Sequence, residues 1–194
     1  MKQLFISPLI ALSPIIAPVL LSSCGEDAQN AAQGGGVQID PAVRKAAMAK
    51  LQELGIEFSP VSFAKQLSGN CKAEILQCFL EAGMSPNGVT GSGMNTLMIL
   101  ILNGTDKAEV VKCAQLLIKF GVNVNSADRR GQTALHYAVG RSNPDLVKTL
   151  IEAGADVNAE DRSGMSVLDR TFNSELMDML KAAGAKEKEQ MLNF

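Results

Sequence analysis

From residue 40 onward, apolar side chains fall three and four positions apart rather than alternating, which is the signature of helices that bury one stripe. Leu146, Val147, Leu150 and Ile151 form one such stripe, and Met48, Leu51 and Leu54 form another. Asp40-Pro41 reads as a cap followed by a proline at the first helical position, and Gly55 suits a C-terminal cap. The pattern therefore predicts a helix over 42–54, whose face of Met48, Leu51 and Leu54 is expected to cover one end of the helical stack downstream. The pattern also repeats. Shifted by 33 residues, Gly121 falls on Gly154, Asn125 on Asn158, Asp128 on Asp161, Gly131 on Gly164 and Leu135 on Leu168. A shift of 38 brings Gly83, Asn87, Gly93 and Leu97 onto Gly121, Asn125, Gly131 and Leu135. The five additional residues are assigned to the turn around Asn103-Gly104-Thr105-Asp106. A shift of 30 carries Leu146, Leu150 and Gly154 onto Leu176, Leu180 and Gly184, so the last copy is three residues short, a deficit assigned to its middle turn. Residues 58–186 thus read as four units, two regular and two degenerate. Irregular end units are expected where a stack must present solvent-compatible faces.

The best copy is Asp128 to Ala159, containing Thr133-Ala134-Leu135-His136-Tyr137-Ala138 and then Leu150-Ile151-Glu152-Ala153-Gly154-Ala155-Asp156-Val157-Asn158. It resembles the ankyrin repeat, with Ala134 where that pattern has proline. The resemblance implies an all-α solenoid of helix-turn-helix units joined by short hairpin loops, and a binding role without catalysis. It also implies that Thr133 starts the inner helix, that His136 bonds the local backbone, and that Gly154 ends the outer helix.

The opening of the chain is different. Lys2 precedes an apolar stretch from Leu4 to Leu21, followed by Ser22-Ser23-Cys24. A positive start, an apolar run and small residues before a cleavage point predict a signal peptide over 1–23. Leu21-Ser22-Ser23-Cys24 resembles the bacterial lipobox, which implies lipid on Cys24 and cleavage before it. Two or three acyl chains hold a protein on a membrane stably, whereas one does not. The competing reading, an uncleaved spanning helix, is interrupted by Pro8, Pro14 and Pro18, each costly inside a helix. Gly25 rather than Asp follows Cys24, which by analogy with enteric bacteria favours the outer membrane. Residues 24–39 are small, polar and glycine-rich, a flexible tether. The tail 187–194 reads as a solvated extension.

Composition narrows the function further. Eighteen Lys and Arg face 20 Asp and Glu, so nothing favours nucleic acid as a partner. A single histidine, His136, leaves no second imidazole for a zinc site and no recognisable nucleophile beside it. Gly34-Gly35-Gly36 lacks the strand and the Gly-Lys that a phosphate loop needs. Asp156, Glu160 and Asp161 match no calcium-loop spacing and read as a solvated turn. No cofactor, metal or catalytic set is expected.

Two features bear on partners and compartment. Five of the six arginines lie between Arg129 and Arg170. Mapped onto hairpin tips and inner-helix ends, the expected docking surface is Arg129, Arg130, Gln132, Arg141, Arg162, Ser163 and Met165, facing another protein with an acidic surface. Tyr137 is read as packing between units, and Met94, Met98, Met165, Met177 and Met179 mainly as core, an expectation that for Met165 stands beside its place on the docking surface. After Cys24 the chain holds Cys71, Cys78 and Cys113. Within one helix, Cys71 and Cys78 would lie about 10 Å apart, too far to bridge unless Cys71 precedes the helix. A bridge between units involving Cys113 is preferred, and three buried thiols remain the alternative. The functional reading is an envelope lipoprotein that binds protein. A narrower reading is an inhibitor or immunity protein against an exported toxin or hydrolase.

Overall fold

The computed structural model describes residues 38–69 and 71–187. The expectations on the signal peptide, on Cys24, on most of the tether and on the tail beyond residue 187 lie outside the described residues. Eight α-helices stand in order among the described residues: α1 Pro41–Glu53, α2 Pro60–Leu67, α3 Ala73–Glu81, α4 Thr96–Asn103, α5 Lys107–Lys119, α6 Ala134–Gly140, α7 Pro144–Glu152 and α8 Ser174–Ala182, with a 3₁₀ turn at Leu168–Arg170. The hairpins between units close through isolated antiparallel bridges, Val89 to Asn95, Ala127 to Thr133 and Glu160 to Ser166, and not through extended strands. The architecture is an all-α solenoid. Inner helices α2, α4 and α6 pack in series, and outer helices α3, α5, α7 and α8 back them.

Six of the eight helices start just after a capping side chain. Asp40, Ser59, Asn95, Asp106, Asn143 and Asn173 precede their helices, and each side chain accepts from a free backbone N–H of the first turn. The core between the layers is aliphatic, with Leu76, Leu97, Leu100, Leu117, Leu135, Leu146, Leu150 and Leu176 fully buried. Among the described residues, Phe58, Phe63 and Phe79 form an aromatic cluster at the N-terminal end.

Three expectations about the frame need correction. In α1 the buried residues are Ala47 and Leu51, spaced four apart, and they face α3. Met48 and Leu54 are 42% and 53% exposed. The small Ala47 lets α1 lie close on the outer layer, which turns the 48 and 54 positions outward. The five additional residues of the second unit do not lengthen its turn. They sit in the helices, since α5 has 13 residues against 9 in α7, and α4 has 8 against 7 in α6. A turn of extra helix keeps its backbone groups paired, which a longer loop would not. The deficit of the last unit falls in its inner helix, reduced to the three-residue turn Leu168–Arg170, while α8 keeps the nine residues of α7.

Two sets of long-range bonds hold the stack in register. Cys71, in the loop before α3, is joined by a disulfide to Cys113 on α5, linking the first unit to the second. Cys78 is a free, buried thiol, raised above its ordinary pKa by burial. The second set is a ladder of asparagines. Asn87 donates to Gly121 O and accepts from Asn123 N–H, at 3.0 and 2.9 Å. Asn125 does the same to Gly154 O and Asp156 N–H, and Asn158 to Gly184 O and Lys186 N–H. The constant spacing of Gly and Asn along the repeat therefore has one cause: each asparagine satisfies the loop that ends the next outer helix.

Candidate protein-docking face

The hairpins project beside the inner helices, and their tips are built by one device. Asp128 Oδ1 accepts from the N–H groups of Arg130 and Gln132, both at 2.8 Å. Asp161 Oδ1 accepts from Ser163 N–H at 2.8 Å, Ser163 Oγ at 2.5 Å and Met165 N–H at 3.1 Å. In the preceding hairpin Thr90 Oγ1 accepts from Met94 N–H at 3.1 Å. Successive tips are also tied to each other. Arg129 N–H donates to Ser92 O at 3.0 Å, and Arg162 N–H to Arg130 O at 2.8 Å. The approach is close enough at Gly131 (φ +79°) that a Cβ would stand 2.9 Å from Arg162 N.

Beneath the tips runs a polar network that joins the last two full hairpins. Tyr137 Oη donates to Asp128 Oδ2 at 2.7 Å. Burial first, and then this carboxylate, push the phenol up to about 12. Arg170 pairs with Asp161 Oδ2. The Ser163 hydroxyl and Arg170 together hold the Asp161 carboxyl well below the usual carboxylate range. Gln132, with its amide oxygen turned to the Arg170 guanidinium, accepts from it and donates to Tyr137 Oη at 3.3 Å. His136 is almost fully buried, and its Nδ1 accepts from Thr133 N–H at 3.1 Å. Burial, then the charge of Arg170, lowers its pKa and keeps the ring neutral. Among the described residues, no group of His, Cys, Asp and Glu could hold a metal ion.

The arginines of the hairpin tips stay exposed beside an apolar groove, with the exposed Glu160 and Asp169 at the third hairpin. A groove of about 460 Å³ lies between the first and second hairpins. Met94, Leu102 and Tyr137 line it together with Ser92, Arg129, Arg130 and the buried Asp128, whose carboxylate is held by Tyr137. Arg129, Arg130, Arg162, Ser163 and Met165 are all exposed. The structure thus brings Arg129 and Arg130 together at the groove and sets Arg162, Ser163 and Met165 on the adjoining hairpin.

Two of the expected docking residues are placed elsewhere. Gln132 is buried, 8% exposed, because its amide is consumed by Arg170 and Tyr137. Arg141 lies at the far end of α6, where its guanidinium donates to Ile101 O at 3.1 Å and to Leu102 O, closing the carbonyl end of α4. Asp161, expected as a solvated turn residue, is also buried, at 7%. The network residue that sequence reasoning missed is Arg170. Its signal was an arginine nine positions after a hairpin aspartate, a spacing that means nothing until the shortened inner helix brings the two together.

A solenoid of paired helices with projecting hairpins and a groove between them is the architecture of a protein-interaction module. The family model of ankyrin repeats, in three copies, matches residues 63–161. The chain belongs to the ankyrin-repeat family. No curated protein matches the chain.

Proposed function

We propose that this ankyrin-repeat module works in the bacterial cell envelope, held to the membrane by lipid on Cys24, and docks an acidic surface of another protein against Arg129, Arg130 and Arg162. The observation that carries the reading is the groove between the hairpins, where two exposed guanidiniums stand over an apolar floor of Met94, Leu102 and Tyr137. Guanidinium groups are suited to carboxylates, and an apolar floor with a cationic rim is the anatomy of an interface centre. The Cys71–Cys113 disulfide supports residence in an oxidising compartment, since reducing compartments keep such pairs as thiols. The lipobox-like Leu21-Ser22-Ser23-Cys24 supports delivery there.

Growth with an alkyne-bearing fatty acid tests the anchor. Wild type is labelled and fractionates with membrane, and Cys24→Ser is neither. Reversal of Arg129, Arg130 and Arg162 to Glu tests the docking face. The triple variant loses the co-purifying partner, whereas a matched reversal of Lys112 and Lys148 on the outer helices keeps it. Equal retention by both variants removes the docking assignment.

A further inference from the structure

The turns joining inner to outer helices stack along the edge opposite the hairpins. Lys107, at the start of α5, donates to Ser142 O in the next turn at 2.9 Å, and Asn143 donates back to Lys107 O. Two features of this edge are unexplained by the docking face. The first is a cavity of about 310 Å³ between the second and third turns. Its floor is Ile101, Val110 and Leu146, and Lys107 and Arg141 stand at its mouth. That volume is at the lower end for pockets that hold an organic group, about 300 Å³. The carboxylate nearest in sequence, Asp106, is taken up by its own helix, accepting from Ala108 and Glu109 N–H.

The second feature is Phe172, which is 97% exposed, while the next most exposed large apolar side chain among the described residues, Leu54, reaches 53%. Phe172 occupies the turn of the last unit, on the same edge as the cavity and further along the stack. The ring stands almost wholly in solvent, and thirty residues earlier the preceding copy has Ser142 at the matching place. Three residues beyond it, the exposed Glu175 lies in the first turn of α8.

We propose that this edge pairs with the same edge of a second copy of the chain. Phe172 of each copy enters the cavity of the other, and Glu175 of each faces the partner's Lys107, whose ammonium keeps two N–H donors beyond its bond to Ser142 O. Knob and socket lie on one surface, so a two-fold axis satisfies both at once, and the assembly closes as a dimer instead of growing into a filament. Apolar ring meets apolar floor, and carboxylate meets cationic rim. A ring lodged beneath two cations also gains their attraction to its face. The contact is small, so the dimer is a weak, reversible one. It leaves the hairpin groove open on both copies.

Sedimentation velocity of the full chain in density-matched detergent, over a hundredfold range of concentration, tests the pairing. Wild type shifts from monomer to dimer as concentration rises. Phe172→Ser, at a solvent-exposed site, stays monomeric throughout. Lys107→Glu weakens the dimer at least tenfold, and Lys107→Glu with Glu175→Lys restores it. Thermal melts of each variant report that the fold is kept. Wild type that remains monomeric over the whole range overturns the proposal, as does a Phe172→Ser variant that dimerises like wild type or a double charge swap that fails to restore pairing.

Discussion

Asn125 reaches from the end of the second unit into the third, donating its amide to Gly154 O at 3.0 Å while its Oδ1 accepts from Asp156 N–H at 2.9 Å. One side chain thereby closes the carbonyl end of α7 and fixes the start of the next hairpin. Asn125→Ala removes both bonds, and at about 0.5–1.5 kcal/mol each the loss is about 1–3 kcal/mol. Urea unfolding monitored by circular dichroism measures it. Asn87→Ala is expected to behave alike, since Asn87 makes the same pair of bonds one unit earlier.

The Cys71–Cys113 bridge closes a segment of 42 residues. By the loop-entropy relation a loop of that length contributes about 4 kcal/mol through the unfolded chain. Cys71→Ala with Cys113→Ala, or reduction by dithiothreitol, lowers the urea midpoint accordingly. Cys78→Ala leaves the response to dithiothreitol unchanged, since that thiol takes no part in the bridge.

Two glycines with the same backbone sign separate conformational strain from steric contact. Gly154 has φ +84° and open space where a Cβ would go, whereas at Gly131 a Cβ would meet Arg162 N at 2.9 Å. Gly154→Ala costs the left-handed penalty alone, about 1–2 kcal/mol. Gly131→Ala costs more, because the backbone of the next hairpin must move. Comparison of the two melting temperatures decides whether the hairpin tips are packed as tightly as described.

Acid and base act on different groups. The neutral His136 is favoured by the fold, and unfolded it titrates near about 6.5. Its contribution to stability is full above that pH and falls as the pH drops below it. Asp161, held low by Ser163 and Arg170, adds a second loss once the pH falls below the ordinary carboxylate value of about 4. Tyr137 works in the other direction. Raised to about 12, it keeps its proton in the fold, and its contribution is lost as the pH rises from about 10 through about 12. Urea midpoints at pH 7.5 and 5.5 test the first step. Wild type loses stability between them, and His136→Gln, though less stable at both, loses less.

Much of the frame was legible because the repeat is written in residues with fixed backbone tasks. Gly121 and Gly154 mark the ends of outer helices, and Asp128 and Asp161 mark hairpins, wherever they fall. The cap at Asp40 follows from side-chain chemistry alone. The exposure of the residues proposed for docking was legible only in part. Arg129, Arg130 and Arg162 stay in solvent as a hairpin tip suggests. Gln132, on the same hairpin, is drawn inward by Arg170, and Arg141 is spent on the carbonyls of α4. Both outcomes depend on partners 38–40 residues away, beyond the reach of a local pattern. The same holds for length. An insertion of five residues is visible in the register, but whether it extends a turn or a helix is decided by which side can keep its backbone bonded and its apolar stripe buried.

The most direct test of the docking account is site-specific photocrosslinking in intact cells. A photoreactive residue replaces Met165 or Ser92 at the hairpin face in one pair of strains, and the exposed Gln115 on the outer helix α5 in another. The account predicts one discrete crosslinked protein from the hairpin positions, lost when Arg129, Arg130 and Arg162 are reversed, and none from Gln115. A partner captured from Gln115 while Met165 and Ser92 capture nothing would contradict it.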